Sequence, residues 1–331
     1  EKLKVDPIPT LQSSGIKALD YFVRRDLLDQ AVEPIQTLWE LPEAGKILKK
    51  QLPTGSWPWS GEEKHPAINH NLVETWRNLR FLVEQYGFTR QHPQIAKAAE
   101  YIFSCQSDEG DLRGILANQY ATYYTGAILA LLVNIGYAQD SRTERCFQWL
   151  LSMRQDDLGW SIPLITHKFD RATQYRLTSE YLPPVQPDRS KPFSHNATGM
   201  ILRAFAAHEQ YRTSGASRLA ASLLKSRFFQ PDAYTSYQAA AYWLRLEYPF
   251  WWNNLVSALD SIALIGANPA DTQIQAALDW LVEHQQEDGL WRVTYAQSQK
   301  PIHETRKAQT MKLWVTLAIY RVFKRLWHNT R

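Results

Sequence analysis

Apolar residues along this chain recur at helical spacing and almost never alternate. Ile274, Ala277, Leu278 and Leu281 form one stripe, with Asn268 placed to cap it and Pro269 to fill its first turn. Ile95, Ala98, Ala99 and Ile102 repeat the pattern, and Asp140 or Ser141 can start a third such helix carrying Cys146, Leu150 and Met153. Between these stripes lie segments richer in aromatic and polar residues, at 67–86, 119–137, 194–211, roughly 250–266 and 304–327. R-V-T-Y at 292–295 is the one stretch that reads as a strand. The pattern therefore predicts an all-α chain of about eleven or twelve helices arranged in pairs.

The joints between pairs repeat as well. Q-L-P-T-G-S-W (51–57), Q-D-D-L-G-W (155–160) and Q-Q-E-D-G-L-W (285–291) each follow an apolar stripe, and Q-S-D-E-G (106–110) is a copy without the tryptophan. The glutamines are 55, 49 and 130 residues apart. A degenerate copy at Gln230, after Leu223, Leu224 and Phe229, restores the period, and a Pro-rich polar insertion at 161–193 accounts for the one long interval. A period near fifty with turn signals at the joints marks an array of helical hairpins, which runs open or closes into a ring. Chemically the motif is a hinge. Glycine supplies positive φ after the last helical turn, Gln offers a donor and an acceptor to orphan helix-end groups, and Trp covers the junction. The acids Asp108, Asp156, Asp157 and Asp288 are read as structural, favouring the start of the next element.

Q-x-x-x-G-x-W at Gln51, Gly55 and Trp57 and at Gln285, Gly289 and Trp291, with a shortened form at Gln155, Gly159 and Trp160, resembles the repeat of the terpenoid cyclase and protein prenyltransferase superfamily. Trp149–Leu150 and Trp280–Leu281 add the aromatic-leucine pair that precedes the glutamine. The nearest likeness is to the stand-alone prenyltransferase/squalene-oxidase-repeat proteins of prokaryotes. The resemblance implies one domain over residues 1–331, an (α/α)6 toroid of inner and outer helices, and a central aromatic cavity for a hydrophobic ligand. It does not bring the family's reactions with it. The D-x-D-D acid motif, the D-D-x-x-D magnesium motif and the thioester motif are missing, and neither Cys105 nor Cys146 has the Asp two residues before it that a prenyltransferase zinc site uses. Neither magnesium nor zinc is expected, and no other cofactor is evident.

Composition narrows the field modestly. At 331 residues, 44% hydrophobic and 21% charged, the chain can bury a sizeable core, and 13 Trp and 16 Tyr are enough to line a pocket or fill one. A net charge of +4, spread along the chain, argues against nucleic acid as the main partner. Two cysteines, no apolar leader and no run of 18 apolar residues point to a soluble, cytoplasmic protein, and Glu1 in place of Met leaves room for a preceding segment. From Thr305 to Arg331 there is no acid but there are seven Lys or Arg residues, so peripheral contact with anionic lipid is a further expectation.

Candidate chemistry falls at the N-terminal ends of the aromatic-rich helices. His70, Glu74 and Arg77 share a face, which makes Glu74 the candidate acid or base with His70 beside a substrate; a surface helix pairing is the alternative. F-S-H-N-A-T-G at 193–199 offers His195 as a second catalytic candidate and Asn196 as a ligand contact, with Gly199 allowing close helix approach. Tyr120, Tyr123, Tyr124, Phe250, Trp251, Trp252 and Asn254 are read as a pocket wall or as packing. His303, Arg306 and Lys307 are placed to receive an anion such as a diphosphate. The insertion, with His167, Asp170, Arg171, Glu180 and Pro183–Pro184, is read as a lid or as a long surface loop. Three functions stay open: an atypical terpene cyclase or prenyl transferase, which leads; a non-catalytic binding or interaction module; and a carbohydrate-active (α/α)6 enzyme. The last needs two facing carboxylates, Glu74 with Glu180 or Glu304.

Overall fold

The computed structural model describes residues 3–62, 65–234, 239–293 and 305–328, leaving aside the side chains of Trp327 and His328. Helices are the regular secondary structure of the described residues, with isolated bridges in place of strands. In order the helices are α1 (Ile8–Gln12), α2 (Lys17–Phe22), α3 (Pro42–Leu48), α4 (His70–Tyr86), α5 (Pro93–Ser104), α6 (Thr122–Leu132), α7 (Ser141–Ser152), α8 (Arg171–Ser179), α9 (His195–Ala207), α10 (Glu209–Arg212), α11 (Gly215–Lys225), α12 (Leu255–Ile265), α13 (Thr272–Glu283) and α14 (Arg306–His328). Contacts sort the chain into two units, Ile35–Ala220 and the pair Glu1–Pro34 with Ala221–Arg331.

In the 35–220 unit the two helix types differ in how they are buried. All of α6 and most of α9 are buried around their full circumference, whereas α5 and α7 bury single stripes, Ile95–Ala98–Ala99–Ile102 and Cys146–Phe147–Leu150. A helix apolar all round must sit inside and an amphipathic one outside, so α6 and α9 are inner and α5 and α7 outer. A close approach falls at Gly126 of α6, where a Cβ would lie 2.5 Å from Ile201 Cα. In the other unit α12 packs on α14, and Trp314 of α14 stacks on Tyr248 with ring centroids 6.0 Å apart. The stripe Ile274–Ala277–Leu278–Leu281 is buried as the spacing predicts. Its cap, however, is Asp271, which accepts N–H bonds from Gln273 and Ile274, while Asn268 holds the preceding turn at Ala270 N. A carboxylate suits the positive end of a helix better than an amide does.

The joints are one structure built four times. Leu52, Ser107, Gln155 and Gln286 each donate their N–H to the carbonyl four residues on, at Ser56, Asp111, Gly159 and Leu290. Trp57, Trp160 and Trp291 are buried, and each indole N–H bonds the carbonyl ten residues earlier, at Ile47, Leu150 and Leu281 (2.8, 2.6 and 2.7 Å). A threonine hydroxyl of α4, α6 or α9 accepts the main-chain N–H at the tryptophan position: Thr75 for Trp57, Thr125 for Leu112 and Thr198 for Trp160. Leu112 thus fills the place of the missing tryptophan.

This alignment corrects the register of the Gln155 copy. Its turn begins on Gln155 where the others begin one residue after the glutamine, so Arg154 stands where Gln51, Gln106 and Gln285 stand. The left-handed residue there is Leu158 (φ 74°), in the place of Gly55 (φ 93°), Gly110 (φ 109°) and Gly289 (φ 80°). In the three true copies the Gln amide nitrogen bridges its own turn glycine to the next segment. Gln51 reaches Gln94 O at the start of α5, Gln106 reaches Arg142 O at the start of α7, and Gln285 reaches Val5 O of the N-terminal segment.

Candidate functional sites

The heads of α4, α6 and α9 in the 35–220 unit hold most of the singled-out residues. Asn69 caps α4 by accepting Leu72 N–H, and Tyr101 donates to the same oxygen. His70 follows, stacked on Trp59 at 4.0 Å and 13°. Trp59, Asn69, His70 and Asn71 help to line a cavity of about 410 Å³. One turn on, Glu74 is mostly buried and ion-paired with Arg77 at 2.5 Å. Tyr124 meets Trp76 of α4 edge to face, with centroids 5.1 Å apart. His195 and Asn196 are only 1% and 2% exposed at the start of α9, which Ser194 caps.

Tyr120, just before α6, sits in a polar cluster. Its hydroxyl donates to Glu109 (2.7 Å) and accepts from Gln186 (2.8 Å), and the Arg113 guanidinium lies over its ring. Burial first, and Glu109 second, push its ionisation up to about 12. Arg113 also holds the buried Asp111 carboxylate, which Ser107 hydrogen-bonds. Glu109, Asp111 and Arg113 escape a sequence reading because E-G-D-L-R directly follows a joint and passes for turn chemistry.

The insertion is a strap across the head of α6. Asn118 and Gln119 donate to Leu182 O and Pro183 O, Gln119 accepts from Val185 N, and Gln155 donates to Asp188 O and Lys191 O. Its return limb is therefore fixed along its length. The outward limb with α8 is different: Asp170 caps the helix, Ser179 is its one buried residue, and Tyr175 makes an edge contact with His65. Phe169, Tyr175 and Tyr181 are exposed, the last two at 58% and 79%.

In the other unit, Trp251 and Trp252 are half-buried and their backbone N–H groups donate to Glu247. Asn254 is the N-cap of α12, in a reciprocal capping box with Ser257, and it donates to Arg245 O. Arg306 and Lys307 open α14 on the exposed side; His303 and Glu304 lie outside the described residues. The basic residues further along α14 turn inward. Arg321 bonds Asp26 at 2.8 Å, Lys324 pairs with Asp29 at 2.6 Å, and Arg325 pairs with Asp260. Burial would raise the Asp26 carboxyl, but Arg321 and Arg25 outweigh it and hold it below its usual range. Arg25, Asp26, Asp29, Ala263, Leu264, Gly266, Arg321, Lys324 and Arg325 bound a cavity of about 600 Å³. Sequence signals for it existed in D-L-L-D at 26–29 and in the spacing of Arg321, Lys324 and Arg325.

Chemically, these arrangements spend their carboxyls. Six carboxyls are held below their usual range by the groups around them: Asp26, Glu33, Asp140, Asp170, Asp188 and Asp271. Both cysteines are free thiols, and burial pushes both upward, Cys146 to about 12. Among the described residues no three His, Cys, Asp or Glu side chains gather as a metal site would need, and no helix is long and apolar enough to cross a membrane.

No family model and no curated protein matches the sequence. Solved structures give distant likenesses. A protein from Actinoplanes is 16% identical over 88% of both chains with a TM-score of 0.46. A variant of the type II terpene cyclase MstE from Scytonema, in complex with merosterolic acid A, is 13% identical over 98% of this chain and 99% of that one, at 0.45. The polysaccharide lyase BACCELL_00875 is also 13% identical, over 98% and 96%, at 0.47. At such identities and TM-scores the likenesses carry no argument about substrate or reaction.

Proposed function

We propose that this protein binds a hydrophobic, isoprenoid- or lipid-type ligand without acid catalysis, as a non-catalytic module on a terpenoid-cyclase-like helical scaffold. The state of the carboxyls carries the reading. Protonating an alkene or a glycosidic oxygen needs a carboxyl within reach of the substrate and not committed to other partners. Here Glu74 is spent on Arg77, Glu109 on Tyr120 and Arg113, Glu180 on Arg176, and Glu247 on two backbone N–H groups. Ligand contact falls on the outward limb of the strap. Among the described residues, Phe169, Tyr175 and Tyr181 of this segment are three of the five exposed large hydrophobics, and such exposure supports an interaction surface there.

The test is a panel of prenyl alcohols, prenyl diphosphates, squalene-like chains and fatty acids, read by thermal shift and by product analysis. At least one class is expected to raise the melting temperature with no product formed, and Tyr175→Ser with Tyr181→Ser to weaken it at least about fivefold, the equivalent of about 1 kcal/mol. Product formation that Glu74→Gln abolishes overturns the non-catalytic part. Absence of stabilisation by every class overturns the ligand.

A further inference from the structure

The cavity beside α14 is independent of the strap and of the reading above. On α14, Arg321, Lys324 and Arg325 lie at i, i+3 and i+4 and so share one face. The 23–27 turn brings Arg25 and Asp26 to the same cavity, with Asp29 just beyond, and Ala263, Leu264 and Gly266 from the end of α12 form the less polar wall. Four cations thus meet three carboxylates, Asp26, Asp29 and Asp260, leaving one positive charge over.

The three carboxylates are not equally committed. Asp26 lies between Arg321 and Arg25, and Arg321 also reaches the Tyr248 hydroxyl at 3.3 Å. Asp260 holds Arg325 from α12. Asp29 is 72% exposed, and its bond is to the Lys324 ammonium. That ammonium has three protons: two go to the carbonyls of Asp26 (2.9 Å) and Leu27 (3.2 Å), and the third faces Asp29. A pair with one partner so exposed adds little stability, because solvent screens it. A dianionic phosphate in its place would meet the Lys324 ammonium and the solvent-facing ends of Arg25 and Arg325, which are charge-assisted donors of the stronger kind.

We propose that this cavity binds a phosphate-type oxyanion, as a free phosphomonoester or as a lipid headgroup, by displacing Asp29 from Lys324. Its volume of about 600 Å³ leaves room beside Ala263 and Leu264 for the organic group that the phosphate carries. Calorimetric titration of the full chain at low ionic strength, with inorganic phosphate and with glycerol 1-phosphate, tests the free form. Vesicles with and without phosphatidic acid test the headgroup form.

Two variants move the affinity in opposite directions, so loss of fold cannot imitate both. Asp29→Asn removes the competing charge and keeps a side chain that tolerates the left-handed backbone there (φ 52°). It should tighten binding about three- to tenfold, and Arg25→Gln should weaken it by a similar factor. Saturation by soluble phosphate with this ranking supports the free form. Saturation on phosphatidic acid vesicles alone, with the same ranking, supports the headgroup. No binding to either, or affinities that the two variants leave unchanged or shift the other way, overturns the site.

Discussion

The joint at Gln51 and the joint at Gln155 share an anchor and differ in everything around it. Both bury a tryptophan that bonds the carbonyl ten residues back, and both give its backbone N–H to a threonine hydroxyl of α4 or α9. At the first joint the turn glycine lies under the next outer helix: a Cβ on Gly55 would sit 2.2 Å from Lys97 O of α5. At the second, the chain leads into the insertion, the exposed Leu158 takes the left-handed position, and Arg154 replaces the bridging glutamine. At these two joints the tryptophan and threonine tie the turn to its own two helices. Glutamine and glycine occur where the next outer helix, or at Gln285 the N-terminal segment, lies against the turn.

The largest test of this comparison is Trp57→Ala against Trp160→Ala. Each should cost about 3–5 kcal/mol in denaturant unfolding, because each empties a fully buried site and orphans a helix-end carbonyl. A loss under about 1 kcal/mol at either one would break the equivalence. Next comes Gly55→Ala, expected to cost about 2–4 kcal/mol from the clash with Lys97 O together with the positive φ. The smallest is Leu158→Gly. Relief of a left-handed leucine, less the backbone entropy that glycine loses, should leave stability raised by up to about 1 kcal/mol. A destabilisation there would mean that the leucine side chain holds the insertion in place.

Much of the scaffold was legible because helical stripes and turn chemistry are local. The buried faces of α5, α7 and α13 follow from spacing alone, and acids at the joints take partners in their own turns: Asp288 accepts Leu290 N–H, and Asp157 accepts Gly159 N–H as well as the distant Phe193 N–H. Register was harder. Gln155 resembles the other glutamines in sequence, and only the hydrogen bonds show that Arg154 occupies their place. Sites were hardest of all. Asn254 reads as a polar pocket residue and is a helix cap, and the cations of α14 read as a surface patch, yet three of them line a cavity with carboxylates almost 300 positions earlier.

By itself the sequence determined the all-α class, the helix pairs and the turns that join them, because each depends on residues within about a dozen positions of one another. Which side chains meet across the chain was decided by the tertiary structure alone. Packing sets the Tyr120 hydroxyl against Gln186 and the Asp26 carboxylate against Arg321, and such partners are chosen between elements that no local pattern records.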